Sequence, residues 1–143
     1  MKIKIHRGTH QIGGSAIEIS TKSTRIILDF GNELSLDEKY IPKNLDIEGV
    51  TAGVPNCDGI VISHYHMDHL GQLTSALPDI SLYMGELSKE IALIGSEYQN
   101  KDLYLRLLGA NTFRGGEAFT IGDIHIRPLV IDHSAADSYM FVI

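Results

Sequence analysis

The sequence contains one cysteine, Cys57, and no tryptophan among 143 residues. A lone thiol cannot close an internal disulfide, which excludes a disulfide-stapled secreted scaffold and fits a reducing compartment. No apolar run approaches the ~18 residues needed to span a bilayer. The opening MKIKIHRGTH is basic, but the apolar core of a signal peptide does not follow it. Positive charge is also scarce: 12 Lys and Arg stand against 18 Asp and Glu, for a net charge of −6. That balance leaves no basic footprint for sequence-independent phosphate binding, although a cleft holding metal ions is positive locally. Together these absences predict a soluble, cytoplasmic protein with no membrane partner.

What is present reads as globular, with 43% hydrophobic and 21% charged residues. The length suffices for one hydrophobic core. Residues 2–6 and 15–20 alternate polar and apolar, as half-buried strands do. Residues 23–30, STRIILDF, form a more apolar strand ending at Asp29, after a turn at STKS. Residues 31–56 are polar and irregular, a long loop punctuated by Pro42, Gly49, Gly53 and Pro55. GIVIS at 59–63 is a buried strand. Leu70, Leu73 and Leu77 repeat at helical spacing up to Pro78. ISLYM at 80–84 is a strand. From Glu86 to about Leu108 the pattern is helical, with a break near Asn100 and a core stripe of Leu87, Ile91, Ile94 and Tyr98. Three further strands follow, EAFTIG, IHIRPLVID and SYMFVI, with a Gly-Asp turn at 122–123. This order predicts sheets packed together with helices outside. The last strand stops on apolar residues, which suggests a piece of a longer chain.

The chemistry concentrates in VISHYHMDHLGQL. After a run of β-branched residues, His64, His66, Asp68 and His69 arrive within six positions. His64 and His66 lie two apart on an extended segment leaving a strand, so their rings can point the same way. Asp68 continues the alternation, and His69 opens the following helix. Imidazole nitrogen and carboxylate oxygen are ligands for Zn²⁺, Mn²⁺ or Fe²⁺. Without a cation, protonated histidines repel and a partly buried carboxylate lacks a partner. A catalytic zinc takes three protein ligands and an open position. His133, in LVIDHSAADSY, is the third candidate, because it follows a late strand as His64 follows the strand at 59–63. Asp29 ends a strand in the same manner. His6, His10 and His125 read as ordinary core or surface residues, and Cys57 as a small buried one. GTHQIGGS lacks phosphate-loop spacing, so its glycines serve tight turns near the site.

His64-Tyr65-His66-Met67-Asp68-His69 resembles the HxHxDH motif of the metallo-β-lactamase superfamily. The resemblance covers nearly the whole chain. It implies an α+β fold, an αββα sandwich with metals at the edge between its sheets, here truncated to roughly the first half. Residues 1–143 then form one incomplete metallo-β-lactamase-like domain. HQIGGSAIEI with RIILDFG, and DHSAADSY, look most like the β-CASP and ribonuclease J group. Smaller glyoxalase II-like hydrolases and lactonases share the core motif. The family pattern continues with a metal-bridging aspartate, a final histidine and, in nucleases, an inserted β-CASP domain. None of these lies within the 143 residues.

The resemblance implies two zinc ions in the intact enzyme, with Mn or Fe as substitutes, and one or none in this chain. His64, His66 and His133 would bind the first. Asp68 and His69 would bind the second, with Asp68 also catalytic beside the nucleophilic water. Asp29 would orient ligands by hydrogen bonds. Ser134, Asp137 and Ser138 are candidates for positioning the His133 loop, although such residues commonly cap turns. The function so implied is metal-dependent hydrolysis of RNA phosphodiesters. The alternatives are hydrolysis of small esters, thioesters or lactones, and a non-catalytic metal-binding module. An exposed sheet edge predicts a homo-oligomer.

Overall fold

The computed structural model describes residues 1–35, 37 and 39–143. Six strands form the larger sheet in the order β1 (Lys2–Arg7), β2 (Ala16–Ser20), β3 (Arg25–Leu28), β4 (Gly59–Ile62), β5 (Leu82–Gly85) and β6 (Asn111–Phe113). The first three are antiparallel, as expected of short consecutive strands, and β3 to β6 are parallel. A second sheet holds β7 (Phe119–Ile121), β8 (Ile124–Val130) and β9 (Tyr139–Val142), all antiparallel. Helices α1 (Met67–Leu70), α2 (Glu86–Ser96) and α3 (Lys101–Leu108) complete the regular structure, with a 3₁₀ turn at Leu73–Ser75.

Strand β4 explains the layering. All four of its residues are buried, because it lies in the middle of a sheet covered on both faces. Ile60 and Ile62 join Ile27, Leu82, Met84, Leu103 and Leu107 in a core on the helix side. Val61 faces the other way, with Ile26, Ile121, Ile124 and Ile126 in a core between the two sheets. The result is helices, large sheet, small sheet: three of the four layers of the expected sandwich. The outer face of the small sheet carries exposed Leu129, Met140 and Val142.

The chain passes from β3 to β4 through residues 31–58, where the described residues form isolated bridges and turns only. Residues 36 and 38, inside the expected loop, lie outside the described residues. The loop is packed: Ile47 and Val50 enter the helix-side core, and Leu45 N–H donates to Gln72 Oε1 at 3.2 Å.

One strand, β6, is not anticipated from the sequence, and one expectation needs correction. Strand β6 is short, and its residues Asn111-Thr112-Phe113 show no alternation long enough to read. The stripe Leu87, Ile91, Ile94 and Tyr98 is not core: Leu87, Ile94 and Tyr98 are 48%, 74% and 90% exposed. Helix α2 instead turns its row of small residues inward, with Ser88 and Ser96 buried and Ala92 packed on the core. Small residues let a helix backbone approach its neighbours closely, and the Ser96 hydroxyl is satisfied within the helix by Ala92 O at 2.8 Å. The break near Asn100 is as expected, since Asn100 caps α3 by accepting from Leu103 N–H.

Two glycines give opposite expectations. At Gly95, inside α2, an added Cβ meets nothing within 4 Å, so Gly95→Ala should raise stability by about 1 kcal/mol in denaturant titration. At Gly31 an added Cβ would lie 1.6 Å from Asp68 O, so Gly31→Ala should cost about 2–3 kcal/mol in the same measurement.

Candidate metal centre

Parallel pairing places Leu28 beside Val61, so the ends of β3 and β4 emerge together at the carboxyl edge of the sheet. Open sheets with parallel strands build their sites at that edge. Asp29 leaves β3 in a left-handed conformation, φ 55°, which aspartate tolerates better than most residues. Its carboxylate accepts from Ser63 N–H at 2.7 Å and Ser63 Oγ at 2.9 Å, and lies 2.7 Å from His69 Nδ1. One side chain thus joins the ends of two strands to the first helix.

The histidine segment is also clamped through its backbone. Phe30 N–H donates to His69 O, Asn32 N–H to Met67 O, and both Gly14 and Ser15 N–H to Asp68 O. The Asp68 and His69 carbonyls find no partner inside the one-turn helix, so the flanking segments supply one, while Met67 O, already bonded to Gly71 N–H, takes a second. Gly13 and Gly14, both at positive φ, let their segment lie against this turn. That is the role expected for the GTHQIGGS glycines.

The structure brings His64, His66 and His133 together. One ligand atom from each lies within 4.8 Å of the others. His64 Nε2 and His133 Nε2 are 3.1 Å apart, near the ~3.3 Å that separates two nitrogens on a tetrahedral zinc. His64 is buried, His66 half-buried and His133 exposed. Ser63 Oγ, which donates to Asp29, lies 3.0 Å from His64 Nδ1. It therefore accepts from an Nδ1–H, which leaves the His64 Nε2 lone pair directed at the other two rings. Nothing about Ser63 stood out in sequence beyond its place between strand and histidine.

Asp68 and His69 sit beside this trio, with His69 Nε2 3.4 Å from Asp68 Oδ2. Asp68 does not continue the extended alternation expected of it, because α1 has already begun at Met67. His6 pairs instead with Glu18, at 2.9 Å, and His125 is exposed on the small sheet. Burial, reinforced by the neighbouring His69, pushes the His64 pKa down to about 4. For His69 burial acts in the same direction, but the Asp29 hydrogen bond and charge, with Asp68, outweigh it and raise the pKa. His64 is thus neutral at physiological pH, as a metal ligand must be, while the carboxylates favour positive charge one ring away. A cavity of about 330 Å³ opens here between the sheets, polar at Asp29, Ser63, His64, His69 and His133 and apolar at Ile17, Leu28, Ile131 and Phe141.

No protein-family profile matches the chain. An RNase J-like protein of Methanocaldococcus jannaschii is 38% identical over 71 residues, which take in 50% of this chain and 14% of the relative. Ribonuclease J of Helicobacter pylori is 26% identical over 150 aligned positions, covering 94% of this chain and 21% of the relative. The chain therefore spans about a fifth or less of these relatives. Among solved structures, MEM-A1, a subclass B3 metallo-beta-lactamase from a soil metagenome library, superposes with a TM-score of 0.58 at 12% identity, over 90% of this chain and 50% of its own.

The low His64 pKa has a thermodynamic consequence. The folded value lies below the ordinary 6.5, so the unfolded chain takes up this proton first as pH falls. Stability from neutral His64 is complete above about 6.5 and is lost toward about 4. In chelator-treated protein, wild type should lose melting temperature relative to His64→Gln across that window. A pH-independent difference would contradict the burial argument.

Proposed function

We propose that this chain, an RNase J-like protein with a truncated metallo-β-lactamase fold, carries a metal centre for hydrolysis of RNA phosphodiesters in the whole protein. The observation that carries the reading is the convergence of His64, His66 and His133 from the ends of two different sheets. Three imidazoles with an open fourth side form the donor set of a catalytic zinc, and Mn or Fe would be accepted by the same nitrogens. Asp68 and His69 contribute to a second ion, whose remaining ligands come from outside these residues. When bound, the ions supply Lewis acidity, acidifying water and offsetting charge on the attacked group.

The residues of this chain have separable parts in that reaction. Ser63 holds the tautomer of His64. Asp29 orients Ser63 and His69 and keeps the latter from swinging out of the centre. Asp68 accepts the proton of an attacking water. RNA as substrate is supported by the names of the sequence relatives. The net charge of −6 favours the second reading, a small ester, thioester or lactone as substrate. Among the described residues no helix is long and apolar enough to cross a membrane. Among the described residues β9 pairs as a strand with β8 alone, and the edge beyond its first residue, Tyr139, supports self-association, which concentration-dependent sedimentation would report.

Zinc content by elemental analysis should fall to background in the double variant His64→Ala/His66→Ala. Asp29→Ala should weaken zinc binding about 10–100-fold in chelator competition. The intact protein, assayed on RNA and on a panel of thioesters and lactones, should cut RNA in a metal-dependent way. Ester turnover with RNA left whole would replace the first reading by the second.

A further inference from the structure

His133 is the least enclosed of the three gathered histidines, and it stands on a loop rather than a strand. Something must hold that loop against the centre. Four contacts do so. Tyr139 N–H donates to Ser63 O at 3.1 Å, beside His64, and Ile131 N–H donates to Ser138 O at 3.0 Å across the loop's base. Ala136 N–H reaches the Tyr65 hydroxyl at 3.3 Å. The fourth contact is of another kind. Asp137 Oδ2 accepts from Ser88 N–H at 2.9 Å, in the first turn of α2.

That N–H has no partner within its own helix, and the positive end of the helix dipole favours a carboxylate there. No residue of α2 supplies a side-chain cap at its N-cap, Gly85. Asp137 provides the carboxylate from 49 residues away. Its other oxygen accepts from the Tyr139 hydroxyl. Asp137 adopts φ 59°, a conformation that bends the loop back toward α2 and that few residues besides Gly, Asn and Asp adopt readily. Gly85 is shaped to match: an added Cβ would come within 2.3 Å of Asp137 Oδ2 and 2.6 Å of the Tyr139 ring.

We propose that Asp137 is the positioning residue that seats His133 in the metal centre, by capping α2 across the loop. The proposal rests on the metal-centre reading. Asp137 has Ser88 and Tyr139 as its partners and is not one of the gathered ligand residues. It converts the rigidity of an 11-residue helix into a fixed position for a histidine four residues upstream. A charged acceptor on a helix N-terminus is directional as well as favourable, so the loop is held in one place rather than merely nearby.

Zinc affinity by chelator competition, measured alongside melting of the metal-free proteins, tests this on the chain as it stands. Asp137→Ala should weaken zinc binding at least tenfold under conditions where the protein remains folded. Asp137→Asn, which keeps an acceptor oxygen and tolerates the same φ, should recover binding to within about threefold. Gly85→Ala, which leaves the carboxylate in place but crowds it, should behave like Asp137→Ala and carries the test if the latter does not fold. A variant that melts earlier yet binds zinc as wild type does would reduce Asp137 to an ordinary cap and overturn the proposal. His133→Ala serves as the reference. If it too leaves zinc binding unchanged, the metal-centre reading itself has failed; if it weakens binding and Asp137→Ala does not, only the positioning role has.

Discussion

The Asp29 carboxylate is the constraint on which the rest of the centre depends. It lies where two parallel strands end, and its three contacts bind the end of β4 and the first helix to the end of β3. Through Ser63 it sets which nitrogen of His64 is free, and through its direct contact it holds His69. The left-handed turn at Asp29 is the local cost of that geometry. Backbone bonds from residues 14, 15, 30 and 32 then close around the carbonyls of Met67, Asp68 and His69. The histidine segment is thereby held by contacts within the chain itself, which is the condition for a site that binds without reorganising.

The second constraint is the meeting of the two sheets. The core between them, around Val61, Ile26 and Ile126, is apolar and closely buried. Packing there brings the end of β8 against the end of β4. His133 is delivered across that seam, 69 residues from its neighbour His64. Two imidazole nitrogens at 3.1 Å beside a third ring gain little from one another without a shared proton or a cation. The arrangement has its physical justification in the ligand it can hold. The helix layer contributes from the opposite side of the large sheet, where α2 receives Asp137.

Much of this was legible in the amino-acid sequence because it is local. Alternation marks β1 and β2, the unbroken apolar run marks the doubly covered β4, and Asn100 marks the boundary of two helices. The spacing of His64, His66, Asp68 and His69 announces a metal-type cluster wherever the segment lies. The contributions of Ser63 and Asp137 were less legible, because each acts through a partner that sequence does not place beside it. A serine before a histidine is unremarkable until a carboxylate from 34 residues away is found on its hydroxyl. Asp137 reads as one of three candidates for positioning the His133 loop, and its partner is not visible until the first turn of α2 is placed next to it.

Helix α2 shows where the boundary lies. Its amino acids determine that a helix forms, and they carry two candidate faces, one of Leu, Ile and Tyr and one of Ser and Ala. The choice between them was made by packing: Gly85 and Ser88 admit the Asp137 carboxylate, and the small-residue row follows them inward. Sequence by itself determined most of the strands, the two longer helices and the clustering of His64, His66, Asp68 and His69, since these depend on residues close in the chain. Tertiary structure alone decided which helix face is buried, that His133 meets His64 and His66, and which partners Asp29 and Asp137 take, since each depends on the distance between residues far apart in the chain.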